Sequence, residues 1–443
     1  MNEVVSNVNL IGSIFIAVMG IMIFFLPRRF APLPLIMTAS YITFGQVVGV
    51  GPLHFYMIRI IIGLGCIRVI FRKEFKAITF NSIDKIIIAY VIIASIISFL
   101  LRKESSAVVS ALGFSYNALG LYFIFRSLVH DEDDFYAIFK MLAWVMVPVA
   151  IFMTTEKITG RNFFSIFGGV PEFTLVRSGK LRAQGAFLHP ILAGTFGATS
   201  IPFFIALWIK DKSQKLTTIV GLVAATIITI MPASSGPVMA YVAVIIGLMM
   251  WRLRDSMRTI RWITFLMLIA LHMVMKAPVW ALIGKLGGLI GGTGWHRVMV
   301  IDAAIDHFSE WWLLGTDYTR HWLPTGVTWS DKHSDITNHF IGVGIHGGLL
   351  SLILFVTILV YCFKTIGIKM KEIDPDDFPL KFTVWCLGVS LFAHMTSFLS
   401  IGYFDQIIVF WYLLLAMIAA LAVNKIKAKD FQGLDETYVP QRN

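Results

Sequence analysis

Asp335-Ile-Thr-Asn-His339-Phe-Ile-Gly-Val-Gly-Ile-His346-Gly-Gly348-Leu-Leu-Ser-Leu-Ile-Leu-Phe-Val-Thr-Ile-Leu-Val-Tyr-Cys-Phe363 is the stretch on which the fold turns. Past Asp335 it carries no Asp, Glu, Lys or Arg. An uncharged run of about 18 residues or more is long enough for a helix to cross the hydrocarbon of a bilayer. In lipid every backbone N–H and C=O must find a partner, and a helix satisfies them within its own segment. Working outward, similar runs recur near residues 9–26, 32–50, 53–70, 84–101, 107–127, 135–155, 186–208, 216–231, 234–250, 260–275, 380–400 and 405–424. The chain as a whole is 57% hydrophobic and 14% charged, with a mean hydropathy of +0.78. That is too apolar for a soluble domain, and the alternation an outer-membrane barrel needs is missing. The expectation is an all-α polytopic membrane protein. It forms one integral domain over residues 1–443, with twelve or thirteen transmembrane helices. The very short connectors of 32–50 to 53–70 and of 216–231 to 234–250 leave the count open by one.

The net charge of +11 would suit nucleic acid in a soluble protein. Here the plainer reading is that Lys and Arg mark cytoplasmic loops and anionic headgroups, so no nucleic-acid partner is expected. With thirteen spans, Arg28-Arg29, Arg72-Lys73, Lys210 to Lys215, Arg252 to Arg261, Lys364 to Lys371 and the tail lysines Lys425, Lys427 and Lys429 share one face, taken as cytoplasmic. Gly51-Pro52, Met231 to Pro237 and Gly402 to Asp405 share the other. Arg102-Lys103 also lands there and is the one short-loop exception. The start, with Glu3 and no cation, supports an external N-terminus, and the first span is read as retained. Cys66, Cys362 and Cys386 fall in or beside spans and form neither a disulfide framework nor a metal spacing.

Two long loops fall on the external side, 156–184 and 276–339, and both are rich in cations. Lys157, Arg161, Arg177, Lys180 and Arg182 belong to the first, and Lys276, Lys285, Arg297, Arg320 and Lys332 to the second. Long loops are exempt from the charge rule; the functional reading is an external site for an anion. The second loop also holds the densest mixture of Trp, His, Arg, Asp and Gly in the chain. Trp295, Val298, Ile301, Ile305 and Phe308 recur at three- and four-residue spacing, predicting an amphipathic helix at the membrane surface, where tryptophan is at home. Gly287-Gly288 and Gly291-Gly292 predict a flexible lead into it.

Arginine suits phosphate because its planar fork pairs with two oxygens and stays charged. Arg182 and Arg297 both fall near the outer headgroup level; headgroup contact or a loop ion pair is the bland alternative. Arg59 lies inside the third predicted span, where an arginine is costly and reads as functional, or else as an interhelical ion pair or a shift of the span boundary. His339 stands where the long loop re-enters the membrane and could take a proton from a hydroxyl or orient it. Asp302, Asp306, Glu310, Asp317, Asp331 and Asp335 compete for the role of base. The candidate set is therefore His339 and Arg297 for catalysis, with Arg182, Arg59, Trp295 and Asp335 for substrate binding. His296, His307, His321, His333, His339 and His346 show no H-E-x-x-H or similar spacing, so no metal is expected. No Walker loop or dinucleotide fingerprint appears, so no cofactor is expected either.

At these residues the chain resembles the O-antigen ligase and polysaccharide polymerase superfamily of bacterial inner membranes. Arg182-Ala-Gln-Gly185-Ala-Phe-Leu-His-Pro190 looks like that family's Arg-x-x-Gly-x-Phe-x-x-Pro lead into a span. Ser234-Ser235-Gly236 is similar to its Ser-Arg-Gly motif, with Ser235 where the family carries arginine. Trp295-His-Arg297 followed by Trp312-Leu-Leu-Gly315 resembles its pattern of an arginine helix and then Leu-x-Gly. Thr337-Asn338-His339-Phe340 with Gly347-Gly348-Leu-Leu resembles its His-Asn-x-Tyr-Leu and Gly-Leu-x-Gly segment, with the Asn ahead of the His. The likeness covers about Arg182 to Phe355 and the overall topology. Its departures lean toward a polymerase of exopolysaccharide or another surface polymer.

The resemblance implies a GT-C-like fold and a metal-independent, inverting glycosyltransferase of the inner membrane, with its site in the periplasmic loop. The donor would be a glycan on undecaprenyl pyrophosphate, and the acceptor a glycan or lipid A core. Membrane lipids and other polysaccharide assembly proteins would be further partners. Arg297 would bind the pyrophosphate, Arg182 would assist, and His339 would activate the acceptor. A transporter or flippase of lipid-linked sugars is the alternative; it would more often show pseudo-repeats and helices broken near mid-membrane.

Overall fold

The computed structural model describes residues 6–51, 53–289, 294–327 and 330–422. Glu3, Pro52, Gly291-Gly292 and the tail lysines Lys425, Lys427 and Lys429 lie outside the described residues.

The chain is built almost wholly from helices: α1 (Leu10–Phe25), α2 (Leu33–Tyr41), α3 (Met57–Phe71), α4 (Ser82–Arg102), α5 (Ser105–Leu128), α6 (Glu132–Thr159), α7 (Pro190–Lys210), α8 (Lys215–Ile230), α9 (Ser235–Met249), α10 (Met257–Val274), α11 (Ala281–Leu289), α12 (Gly294–Asp306), α13 (Phe308–Trp311), α14 (His339–Glu372), α15 (Phe378–Phe398) and α16 (Ile407–Leu421). Among the described residues, 8 helices are long and apolar enough to cross a membrane, with α9 and α10 counted as one through the turn Met250–Ser256. α1 and α16 are apolar but shorter. The protein is thus an all-α polytopic membrane protein, with three two-stranded hairpins as its only sheet among the described residues.

The predicted spans 32–50 and 53–70 need correction. The first ends as the short helix α2, and its remainder turns into the hairpin β1 (Val47–Val50) with β2 (Leu53–Tyr56). Gly51, at φ 57°, makes the turn that lets the β-branched valines of β1 pair with the aromatic-rich β2 instead of continuing a helix. α3 therefore begins only at Met57.

Contacts sort the connectors into two faces. On one, here called the loop face, Thr43 donates to the Gly168 carbonyl at 2.7 Å, Ala183 N–H to Met231 at 3.3 Å, and Tyr403 N–H to His339 Nδ1 at 3.1 Å. On the opposite face Arg28 meets Asp134 at 2.6 Å and Lys210 meets Glu132 at 3.4 Å. α7 forms the centre of the bundle, almost entirely buried against α6, α8, α9 and α15. Its Gly197 allows this, since a Cβ there would stand 2.6 Å from the Ala225 carbonyl oxygen.

Two devices tie the long loop to this scaffold. α14 breaks at Gly348 (φ 66°, ψ 179°), which splits off its first turns. The break is closed by the 312–316 segment: Leu349 N–H donates to Trp312 and Thr316 N–H to Ile345, both at 2.8 Å. A Cβ on Gly348 would lie 2.3 Å from the Leu313 oxygen, and one on Gly315 (φ 79°) 2.1 Å from that of Ile345. Only glycine combines that φ with such close backbone approach. The second device is an apolar cluster of Val300, Ala304, Trp311, Trp322, Leu323 and Ile345, with Trp311 Nε1 donating to Ala304 at 2.8 Å.

The predicted surface helix forms as α12, but its inward face is that of Arg297, Val300 and Ala304. Trp295, Ile305 and Phe308 of the predicted stripe point outward, with Trp295 59% exposed. An outward apolar stripe of this kind fits a helix lying on a membrane surface.

Candidate functional site

A cavity of about 1330 Å³ opens on the loop face, between the ends of α4, α5, α7 and α9, the long loop and the 400–404 connector. Among the described residues its wall carries six cations, Arg102, Lys157, Arg177, Lys180, Arg182 and Arg297, and one carboxylate, Asp335. The rest is apolar side chain, hydroxyl, imidazole and backbone.

Arg297 is only 5% exposed. α12 delivers it inward, where Nη2 donates to Ser235 Oγ at 3.1 Å and Nη1 lies 3.4 Å from Met239 Sδ. Burial, then the charge of Arg177, presses its pKa down from the usual guanidinium value. Arg182 is 7% exposed, with Nε donating at 3.4 Å to the Pro232 carbonyl. Burial and Arg177 act on it in the same direction. Neither guanidinium has a carboxylate within ion-pair distance among the described residues. An arginine does not deprotonate in proteins, so both remain buried positive charges. The backbone at Arg182 is fixed from below: buried Glu156 accepts from Gln184 N–H at 3.1 Å and Gly185 N–H at 2.8 Å, which holds the turn after the strand Lys180–Arg182.

The imidazoles are set by their backbone partners. His339 Nδ1 accepts from Tyr403 N–H, so the neutral ring carries its proton on Nε2. His339, which lines the cavity, is thereby a hydrogen-bond donor at Nε2. Its lone pair is already engaged, and the orienting role predicted for it fits this geometry better than the role of base. His346, about two helical turns further, has the reverse arrangement. Nδ1 lies 2.7 Å from the Gly342 carbonyl, which can only accept, so the free lone pair is on Nε2. His189 caps α7, its Nδ1 accepting from Ile191 N–H at 3.1 Å. Burial, then Arg182 and Arg177, lower its pKa to about 4, so it stays neutral near pH 7.

Of the predicted residues, Arg297, Arg182, His339 and Asp335 converge on this cavity. Asp335 is exposed, with Oδ2 3.7 Å from His296 Nε2. Arg59 does not line it. With α3 starting at Met57, Arg59 falls in the first helical turn, donating to the His54 carbonyl at 2.6 Å and to Asn117 at 3.2 Å. Trp295 does not line it either; its ring lies against Gly284 on the outer side of α12. Among the competing carboxylates, Asp302 receives Trp280 Nε1 at 2.7 Å and Glu310 is held by His307, His321 and Trp322, both away from the cavity. Sequence reasoning missed Arg102 and His346. The signal for Arg102 was its position as the exception to the loop-charge pattern. For His346 no sequence signal separates it from its five neighbours, because the Gly342 carbonyl decides its tautomer.

No protein-family model matches this chain, and no curated protein matches it.

Proposed function

We propose that the protein transfers a glycan from an undecaprenyl-pyrophosphate carrier to a hydroxyl of an acceptor glycan or lipid A core, in the cavity of the loop face. The observation that carries this reading is the pair of buried arginines, Arg182 and Arg297, without carboxylate partners among the described residues, in a cavity those residues line with six cations and one acid. Such a site lacks an anion large enough to engage several guanidinium groups, and a lipid pyrophosphate supplies one with an apolar tail for the bilayer. The motif likeness described above points to the same chemistry.

In this reading Arg297 and Arg182 hold the pyrophosphate and stabilise the charge it gains as it leaves with the bonding electron pair. The acceptor oxygen forms the new bond to the anomeric carbon from the opposite side. Its proton passes to His346 Nε2 or to Asp335, while His339 Nε2–H fixes the orientation of the hydroxyl. The site would face the periplasm.

The test uses purified protein with an undecaprenyl-pyrophosphate glycan, with and without lipid A core, read by gel and mass spectrometry. Laddering without the core means polymerase; transfer only to the core means ligase. No covalent product from either, with donor carried across a vesicle bilayer, would replace this reading with that of a transporter. The broken α14 is the observation favouring that second reading, although its break is closed by the loop 312–316 rather than by a related repeat.

A further inference from the structure

Away from the cavity, the long loop brings together His307, Glu310 and His321. His307 Nδ1 lies 2.7 Å from Glu310 Oε1, and His321 Nε2 lies 3.1 Å from the same oxygen. One ligand atom from each residue lies within 4.8 Å of the other two. Around a tetrahedral zinc ion with bonds of about 2.0–2.2 Å, neighbouring donor atoms stand about 3.3–3.6 Å apart, so the 2.7 and 3.1 Å separations at Glu310 Oε1 need only a small opening to admit it. We propose that His307 Nδ1, Glu310 Oε1 and His321 Nε2 form a zinc site, with water in the fourth position.

The surroundings are built for this. Trp322 Nε1 donates to Glu310 Oε2 at 3.0 Å, which fixes the carboxylate; His307 faces Oε1, and His321 Nε2 lies 3.1 Å from both oxygens. The rings are held on their faces as well: His307 stacks on Trp322 at 5.3 Å and His321 on Tyr318 at 5.1 Å. The carboxylate is ready to ligate. Burial alone would raise its pKa, but hydrogen bonds from Trp322, His321 and His307 outweigh that and bring it to about 2. When the metal binds, each neutral imidazole moves its proton to its other ring nitrogen by exchange with solvent, so that His307 Nδ1 and His321 Nε2 turn lone pairs to zinc.

The spacing escapes the usual motifs because His307 and Glu310 lie on one turn, three apart, while His321 comes from the next turn of the loop. Its effect would be to clip α13 onto residues 318–322. Thr319 in that turn holds the cavity-lining Ser334, whose hydroxyl donates to its carbonyl at 2.7 Å. The ion is therefore structural, separate from the pyrophosphate site, and the inference is independent of the transfer reading.

The experiment takes the full chain in detergent, without a polyhistidine tag, stripped with chelator. It is titrated with zinc sulfate by calorimetry, and bound zinc is counted by mass spectrometry. The wild type is expected to take up one equivalent with a Kd in the micromolar range or below, and to quench or shift indole emission as Trp322 responds. The variant His307→Gln with His321→Gln keeps amide donors toward Glu310 and so preserves the loop, but loses both nitrogen ligands. It is expected to bind at least 100-fold more weakly. No uptake by the wild type, or equal uptake by the doubly substituted chain, overturns the proposal.

Discussion

At the opposite face Arg28 meets Asp134 at 2.6 Å, Arg29 meets it at 3.2 Å, Arg68 meets Glu74 at 2.9 Å and Arg126 meets Asp84 at 3.3 Å. At the loop face the buried Arg297 and Arg182 meet, among the described residues, a serine hydroxyl, a thioether and a carbonyl. Both ends take cations out of water. One end supplies the counter-charge from its own chain; the other leaves it to be supplied. Removing charges from water is costly unless they are paired, so the loop face holds a cost that a bound anion would relieve. That difference sets arginines that tie the bundle together apart from arginines left without a carboxylate among the described residues.

The largest effect is expected from Arg297→Ala. It removes the most enclosed cation of the cavity and should lower glycan transfer by roughly 10²–10³-fold, with the protein still accumulating in the membrane. Unchanged transfer would place the anion elsewhere. The matching change at the opposite face, Asp134→Asn, leaves Arg28 and Arg29 short of their shared carboxylate. It should cost about 3 kcal/mol in thermal unfolding and leave anion binding in the cavity unaltered. If it impairs binding as Arg297→Ala does, the two ends are not independent. Ser235→Asp would make the loop face resemble the opposite one by giving Arg297 a carboxylate of its own. Affinity for pyrophosphate, measured by calorimetry, should fall by about tenfold or more, since the introduced charge competes for the same guanidinium. Gly348→Ala tests the support of the site. Its positive φ and the 2.3 Å approach to the Leu313 oxygen should together destabilise the docked loop by about 1–3 kcal/mol, read as faster proteolysis of residues 312–346.

The smallest effect concerns pH. His189 titrates near 4 in the folded chain, against an ordinary value of 6.5. As pH falls below 6.5 the unfolded chain takes up this proton and the folded chain does not, so stability falls across that window. Replacing His189 with Gln should remove roughly 1–2 kcal/mol of the loss between pH 6.5 and 5. Identical unfolding profiles for the two proteins would show that burial, Arg182 and Arg177 together do not lower its pKa in the folded chain.

The sequence was informative where a property is carried by neighbours along the chain. Long apolar runs determine membrane helices, because a bilayer reads each segment separately. The surplus of Lys and Arg in two loops was equally visible, and with it the expectation of an anion. Arg182 and Arg297 were legible as residues, and so was the glycine pair at Gly347-Gly348. The hairpin that shortens the second and third spans was harder to see, because Val47–Val50 and Leu53–Tyr56 are as apolar as a helix would be.

Tertiary structure alone decided which cations share a site. Arg102, Arg182 and Arg297 come from three distant segments, and Arg59, equally unusual in sequence, is turned aside to the His54 carbonyl. It also decided the direction of each histidine. The proton of His339 is placed by the N–H of Tyr403, and that of His346 by the carbonyl of Gly342. Hydropathy and charge are summed along the chain, whereas a binding site depends on which side chains meet and which way their protons point.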